Sequence, residues 1–317
     1  MSEPSVPQAF ATALEALLRQ VRQDRSILAA VLCGSLSHDT VWEKSDIDLV
    51  LVTIDDRKID SSDIPLNADG VNVHAMLIPR TAFRRMVEGS VQNSFAHAFL
   101  AKGRLLYTHD KTIADLCERL GSLGGRDKAI QMLGAGTAVL PALYKARKWF
   151  VTRRDFAYTS LWLLYAATSV ARMEVIAAGL VADREVIPQA ARLNPPLFKT
   201  IYTDLLREGT SEAPVAAALA AIDEYMASRA RTVFAPVLEH LRETGDVRSS
   251  RDIEDHFQKT FGVSCVITAC EYLADLGLIG KASTPVLLTR RSNTTVEELA
   301  FFYTEAPTTR TASRDGR

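Results

Sequence analysis

No stretch of this chain approaches the roughly 18 continuous apolar residues that a membrane-spanning helix needs, and none of its segments is repeated. The first residues, MSEPSVPQAFATALEALL, lack a basic segment ahead of a long apolar core, so no cleaved leader is expected. Cysteine is sparse. Cys33, Cys117, Cys265 and Cys270 are scattered without a CxxC pair, which predicts four buried, reduced thiols in a cytoplasmic protein rather than disulfides or a metal site. An excess of either charge is missing as well. With 37 Lys and Arg against 38 Asp and Glu, a net charge of −1 gives no global pull toward nucleic acid or an anionic membrane. What remains is 47% hydrophobic and 24% charged residues over 317 positions, an ordinary globular composition with length for two or three domains.

The apolar pattern changes character along the chain. Phe10, Leu14, Leu17, Leu18 and Val21 form a helical stripe over residues 7–23. Ile27–Leu32, Ile47–Ile54 and Val71–Ile78 are short apolar runs that suit buried strands, the last preceded by the turn residues NADG. Helical spacing returns at Thr81–Glu88, KGRLLYTHD (102–110) reads as an edge strand or extended connection, and GSLGG (121–125) closes the unit. From Asp127 to about Ala235 the pattern is helical almost throughout. FAYTSLWLLYAATSVARMEVIAAG (156–179) is apolar nearly all round and belongs at the centre of a bundle. VLEHLRETG, SSRDIEDHFQKTFG and VSCVITACEYLADLGLIG then read as three short helices before a ribbon in KASTPVLLTRRSNTTV, a winged-helix-like order. The segment 306–317 has the composition of a disordered tail.

One stretch carries chemistry. In LCGSLSHDTVWEKSDIDLVLV (32–52), Gly34 and Ser35 follow one apolar strand, and ten residues later Asp46 and Asp48 open the next. A glycine there admits a phosphate close to the backbone, and the Ser35 hydroxyl, with Ser37 as a further hydroxyl or cap, can bind it. Strand alternation sets Asp46 and Asp48 on one face and Ile47, Leu49 and Leu51 on the other. Two hard carboxylates beside a phosphate loop suit Mg²⁺, with Mn²⁺ as a substitute. They are the kit for metal-assisted nucleotidyl transfer with one ion or two.

This stretch resembles the nucleotidyltransferase fold of the DNA polymerase β superfamily, whose motif is Gly-Ser, about ten residues, then Asp-apolar-Asp before a hydrophobic strand. The resemblance covers roughly residues 7–120. It implies an α+β protein: a small mixed-sheet nucleotidyltransferase domain (1–122), an all-α helical bundle on the substrate side (126–233) and a winged-helix-like unit (234–305). It also implies metal ligation by Asp46 and Asp48, triphosphate binding by Gly34 and Ser35, and transfer of a nucleoside monophosphate, AMP from ATP being the first choice. The acceptor is a hydroxylated small molecule or a protein side chain.

Members of the superfamily usually place a third carboxylate on the next strand. Here VNVHAMLIP offers Asn72 or, one pleat along, His74. His74 can act as a neutral ligand or general base; alternatively Glu174 or Glu185 supplies the carboxylate, or the site is incomplete and the chain is a nucleotide-binding regulator. YKARKWFVTRRDFAY (144–158) carries Lys145 and Lys148, cations that can reach a triphosphate. In the C-terminal unit seven basic residues face eleven acidic ones between Phe234 and Glu305, and the third helix has Glu271 and Asp275 but no Lys or Arg. DNA binding needs a basic face and is not expected. The unit instead packs on the bundle, shapes the acceptor pocket or mediates homodimerisation.

Overall fold

The computed structural model describes residues 5–34, 42–55, 62–88, 103–120, 125–180, 182, 185–289 and 291–304. The chain divides into two compact units, residues 1–127 with 179–185, and residues 128–178 with 186–317.

In the first unit α1 (Val6–Val21) begins behind Ser5, whose amide donates to Gln8 Oε1 at 3.2 Å, and with Pro7 in its first turn. Five strands follow: β1 (Ile27–Cys33), β2 (Ile47–Thr53), β3 (Ser62–Ala68), β4 (Val71–Pro79) and, after α2 (Arg80–Glu88), β5 (Arg104–Thr108). α3 (Lys111–Leu120) completes the unit. The strand order is β3-β4-β2-β1-β5, with β2 and β4 parallel and the other neighbours antiparallel. The sheet is therefore mixed.

Both faces of the sheet are covered, which is why its central strands read as continuous apolar runs rather than alternating ones. On one face Ile47, Leu49, Leu51, Val73 and Ala75 pack against Phe10, Leu14, Leu17 and Leu18 of α1. On the other, Val31, Val50, Val52 and Ile78 pack against Phe83 of α2 and Ile113 and Leu116 of α3.

Two elements depart from the sequence expectation. Residues 62–68 form β3, an edge strand that Pro65 disguises, because proline is tolerated only where no ladder amide is needed. NADG is the turn of the β3–β4 hairpin, with Asp69 and Gly70 both at positive φ (47° and 83°). Helix α3 carries Ile113, Leu116, Cys117 and Leu120 at helical spacing, a stripe the sequence expectation passed over, and it starts from a cap. Asp110 accepts from the Thr112 amide (2.9 Å) and hydroxyl (2.7 Å), and also pairs with Arg80 at 3.0 Å. The Thr112 hydroxyl first, and Arg80 next, hold the Asp110 carboxyl below its ordinary value of 3.8. Asp110→Ala is expected to cost about 1 kcal/mol at neutral pH, as loss of an N-cap does. A carboxyl with a depressed folded-state pKa stabilises above its unfolded value, and the effect fades as pH falls through the folded one. The gap between wild type and variant in urea midpoints should therefore shrink below about pH 4.

The second unit is helical over most of its length, with α4 (Gly125–Arg153), α5 (Phe156–Ala177), α6 (Val186–Leu193), α7 (Pro195–Phe198), a π-helical turn (Lys199–Asp204), α8 (Leu205–Glu208) and α9 (Glu212–Val233). α5 buries Leu163, Val170, Met173 and Val175 and contacts α6, the π turn and α9, the central position its sequence foretells. α10 (Ala235–Thr244), α11 (Ser250–Phe261) and α12 (Val266–Asp275) precede a ribbon of β7 (Ile279–Leu287) and β8 (Thr295–Tyr303). A two-residue strand β6 (Arg248–Ser249) joins the ribbon in the order β6-β8-β7 and was not foreseen. The tail 306–317 lies outside the described residues.

All four cysteines are free, but not all are buried. Cys265 is exposed, at the left-handed residue (φ 63°) that opens α12. Among the described residues, no helix is long and apolar enough to cross a membrane.

Candidate active site

β1 and β2 are antiparallel, so the end of one meets the start of the other: Cys33 pairs with Asp48. Gly34 follows in the left-handed region at φ +65°. A Cβ on Gly34 would overlap the Asp48 carboxylate, standing 2.8 Å from Cγ. Glycine is required here twice over, by its backbone angle and by the carboxylate seated against it. The turn at Trp42–Ser45, closed by the Ser45 amide on the Trp42 carbonyl at 2.9 Å, delivers Asp46 exposed just ahead of β2. Ser35 and Ser37 lie outside the described residues.

Asp48 points to the face shared by Cys33, Val50 and Val52, and its side chain is 22% exposed. Its presence helps keep the neighbouring thiol protonated. Burial first, and the Asp48 charge next, push the Cys33 pKa well up. On β4 the residue opposite Asp48 is His74, whose Nδ1 lies 3.5 Å from Asp48 Oδ1. Asn72 is exposed, two residues earlier beside the hairpin turn. Of the two candidates for the missing carboxylate's position, the structure brings His74 to Asp48.

One residue escaped the sequence reading. Asp63 on β3 pairs with Met76, placing its side chain on the same face as His74, and its Oδ1 stands 3.6 Å from His74 Nε2. Asp48, His74 and Asp63 thus form a row across three adjacent strands. The signal was present in SDIPLNADG, where alternation around Pro65 and the Asp-Gly turn describe the first arm of a hairpin. Among the described residues, no three His, Cys, Asp or Glu side chains converge as a ready metal cluster.

The remaining candidates belong to the second unit, apart from Glu185, which is exposed in the first. Lys145 on α4 rests over the Trp162 ring of α5 at 5.7 Å, and Trp162 meets Tyr158 and Tyr165 edge to face. Lys148 is exposed, while its neighbour Arg147 pairs with Asp223. Glu174 on α5 is only 12% exposed; Arg229 of α9 lies 3.6 Å from Oε1, and the Asn194 amide donates to Oε2 at 3.4 Å. Burial first, then the nearby Glu174 carboxylate, push the Tyr225 hydroxyl pKa well up. Removing this acceptor leaves Asn194 and Arg229 without their partner. Glu174→Ala is expected to lower stability by about 2 kcal/mol, read as a urea midpoint shift, with Glu174→Gln recovering most of the loss.

The geometry can be set beside known proteins. Over 94% of this chain and 99% of the other, the structure superimposes on a nucleotidyltransferase-like protein from Exiguobacterium sibiricum 255-15, with a TM-score of 0.60 and 16% identity. The fold is nucleotidyltransferase-like. No protein-family model matches the chain, and no curated protein matches it. At this identity the likeness shows the fold alone.

Proposed function

We propose that this protein is a metal-assisted nucleotidyltransferase that moves a nucleoside monophosphate, AMP from ATP in the first instance, to a hydroxylated small-molecule or protein acceptor. The observation that carries the reading is the packing of Gly34, at φ +65°, against Asp48, with Asp46 exposed two residues ahead on a nucleotidyltransferase-like sheet. A glycine seated against a strand carboxylate brings backbone and acid to one place.

The two carboxylates suit a divalent cation, Mg²⁺ or Mn²⁺. Asp46 and Asp48 supply hard oxygens, and such an ion takes one or two carboxylates and completes its shell with phosphate oxygens and water. When bound, it would neutralise charge on the triphosphate and on the departing pyrophosphate. The chain's own residues do the rest. Gly34 leaves room for phosphate at the end of β1, and Ser35 and Ser37 offer hydroxyls to it. His74 stands beside Asp48, in the place of the third carboxylate. Lys145 and Lys148, on the second unit, are exposed cations of the kind that binds triphosphate. The C-terminal helices and ribbon, winged-helix-like in order, serve the acceptor side or homodimerisation rather than DNA.

A second reading is favoured by His74 standing opposite Asp48, where a carboxylate is expected. In it the protein binds nucleotide without turnover and reports it to DNA or a protein partner. Incubation with Mg²⁺, candidate acceptors and ATP labelled at the α-phosphate separates the two. Transfer of label with release of pyrophosphate supports the enzyme. Saturable nucleotide binding with no pyrophosphate under any acceptor supports the regulator, and absence of nucleotide binding removes both.

A further inference from the structure

Three strands place Asp48, His74 and Asp63 on one face of the sheet. Asp48 and His74 are direct partners in the parallel β2–β4 ladder; Asp63 is the diagonal neighbour from the antiparallel β3–β4 pair. The imidazole therefore has a carboxylate at each ring nitrogen, at 3.5 Å from Nδ1 and 3.6 Å from Nε2. Both separations exceed a formed hydrogen bond, and the side chains are partly open to solvent, 22% for Asp48, 44% for His74 and 62% for Asp63. As a device for sheet stability such a row is worth little.

The Asp48–His74 separation has another reading. Two donor atoms that share one ion at about 2.1 Å stand about 3.0 Å apart at a right angle and about 3.4 Å apart at a tetrahedral angle. Asp48 Oδ1 and His74 Nδ1 are already at the wider of these spacings without any movement of the sheet. A nitrogen can only serve there if its lone pair faces Asp48, which requires the ring proton on Nε2. Asp63 stands on that side. A histidine that ligates a metal commonly gives its other ring proton to a carboxylate, which fixes both tautomer and ring plane.

Resting on the nucleotidyltransferase reading above, we propose that His74 Nδ1 is a metal ligand alongside Asp48, and that Asp63 is the positioning residue that presents it. The consequence is selectivity. Mg²⁺ is a hard ion that demands oxygen ligands in a tight octahedron, whereas imidazole suits first-row transition ions. The resident cation is then a transition ion, Zn²⁺ first and Mn²⁺ after it, in preference to Mg²⁺, and the place of an expected carboxylate is taken by a nitrogen that changes which ion is held.

Mn²⁺ reports its own ligands, so the test needs no turnover. The full-length protein is titrated with Mn²⁺ in the absence of nucleotide and read by electron paramagnetic resonance, with pulsed detection of nitrogen coupled to the ion. Zn²⁺ and Mg²⁺ are then used as competitors. Wild type should show nitrogen coupling that disappears in His74→Ala and His74→Asp. His74→Asp should shift preference back toward Mg²⁺, and Asp63→Asn should weaken Mn²⁺ binding by about tenfold while leaving Mg²⁺ binding unchanged. Mn²⁺ binding that depends on Asp48 but shows no nitrogen coupling overturns the inference and leaves the functional reading standing. Absence of any Asp48-dependent Mn²⁺ binding overturns both. Equal losses of Mn²⁺ and Mg²⁺ in Asp63→Asn remove its positioning role.

Discussion

Gly34→Ala should lower pyrophosphate release by about a hundredfold, the loss that displacement of a reacting group by about 1 Å can cause, while far-UV circular dichroism stays close to wild type. Two separate effects act at this position. The left-handed conformation at φ +65° costs a non-glycine residue about 1–2 kcal/mol. The added methyl group would also overlap the Asp48 carboxylate, so one of the two must move. Backbone movement is resisted, because Cys33 is completely buried and paired with Asp48 in the β1–β2 ladder. The Asp48 side chain is therefore the part that yields, and it turns away from His74. A variant that retains full activity would show that this contact does not set the carboxylate's position.

Asp48→Asn should be the more severe change, removing transfer by about 10³-fold or more, as loss of an indispensable catalytic group does. Asparagine has nearly the same shape, so the seat against Gly34 and the packing beside Val50 are preserved and the thermal midpoint should move little. What is lost is charge, and with it the affinity for a divalent ion. Asp46→Asn, at the exposed position ahead of β2, should show the same direction. The measurement is pyrophosphate release from ATP over a range of Mg²⁺ and Mn²⁺ concentrations. Activity indifferent to both substitutions would end the nucleotidyltransferase reading. Partial rescue of Asp46→Asn by high Mn²⁺ would tie the loss to the ion rather than to the fold.

The parts of this site that the sequence made legible are those where one local pattern decides the outcome. Gly34 and Asp48 lie at the ends of two apolar runs, and burial of both sheet faces makes those runs visible without any tertiary information. His74 follows from simple alternation along β4. Asp63 does not, because its strand lies at the sheet's edge, half-exposed and broken by Pro65, where apolar patterning is weak. α3, by contrast, was legible: Ile113, Leu116, Cys117 and Leu120 hold helical spacing and the Asp110–Thr112 cap is local, with only the Arg80 pairing coming from 30 residues away. Glu174 illustrates the opposite case. A lone acid in an apolar helix stands out in the sequence, but its partners Arg229 and Asn194 come from α9 and the residue before α7, and no local pattern names them.

Pro65 has a consequence beyond concealing a strand. β3 is the outermost strand on its side of the sheet, and an outermost strand with a full set of amides is a template on which a second polypeptide can add. Pro65 deletes a donor from the middle of that template, and Asp63 sets a charge beside it. Addition of a second strand along this side is thereby disfavoured, and β3 keeps Asp63 in contact with solvent.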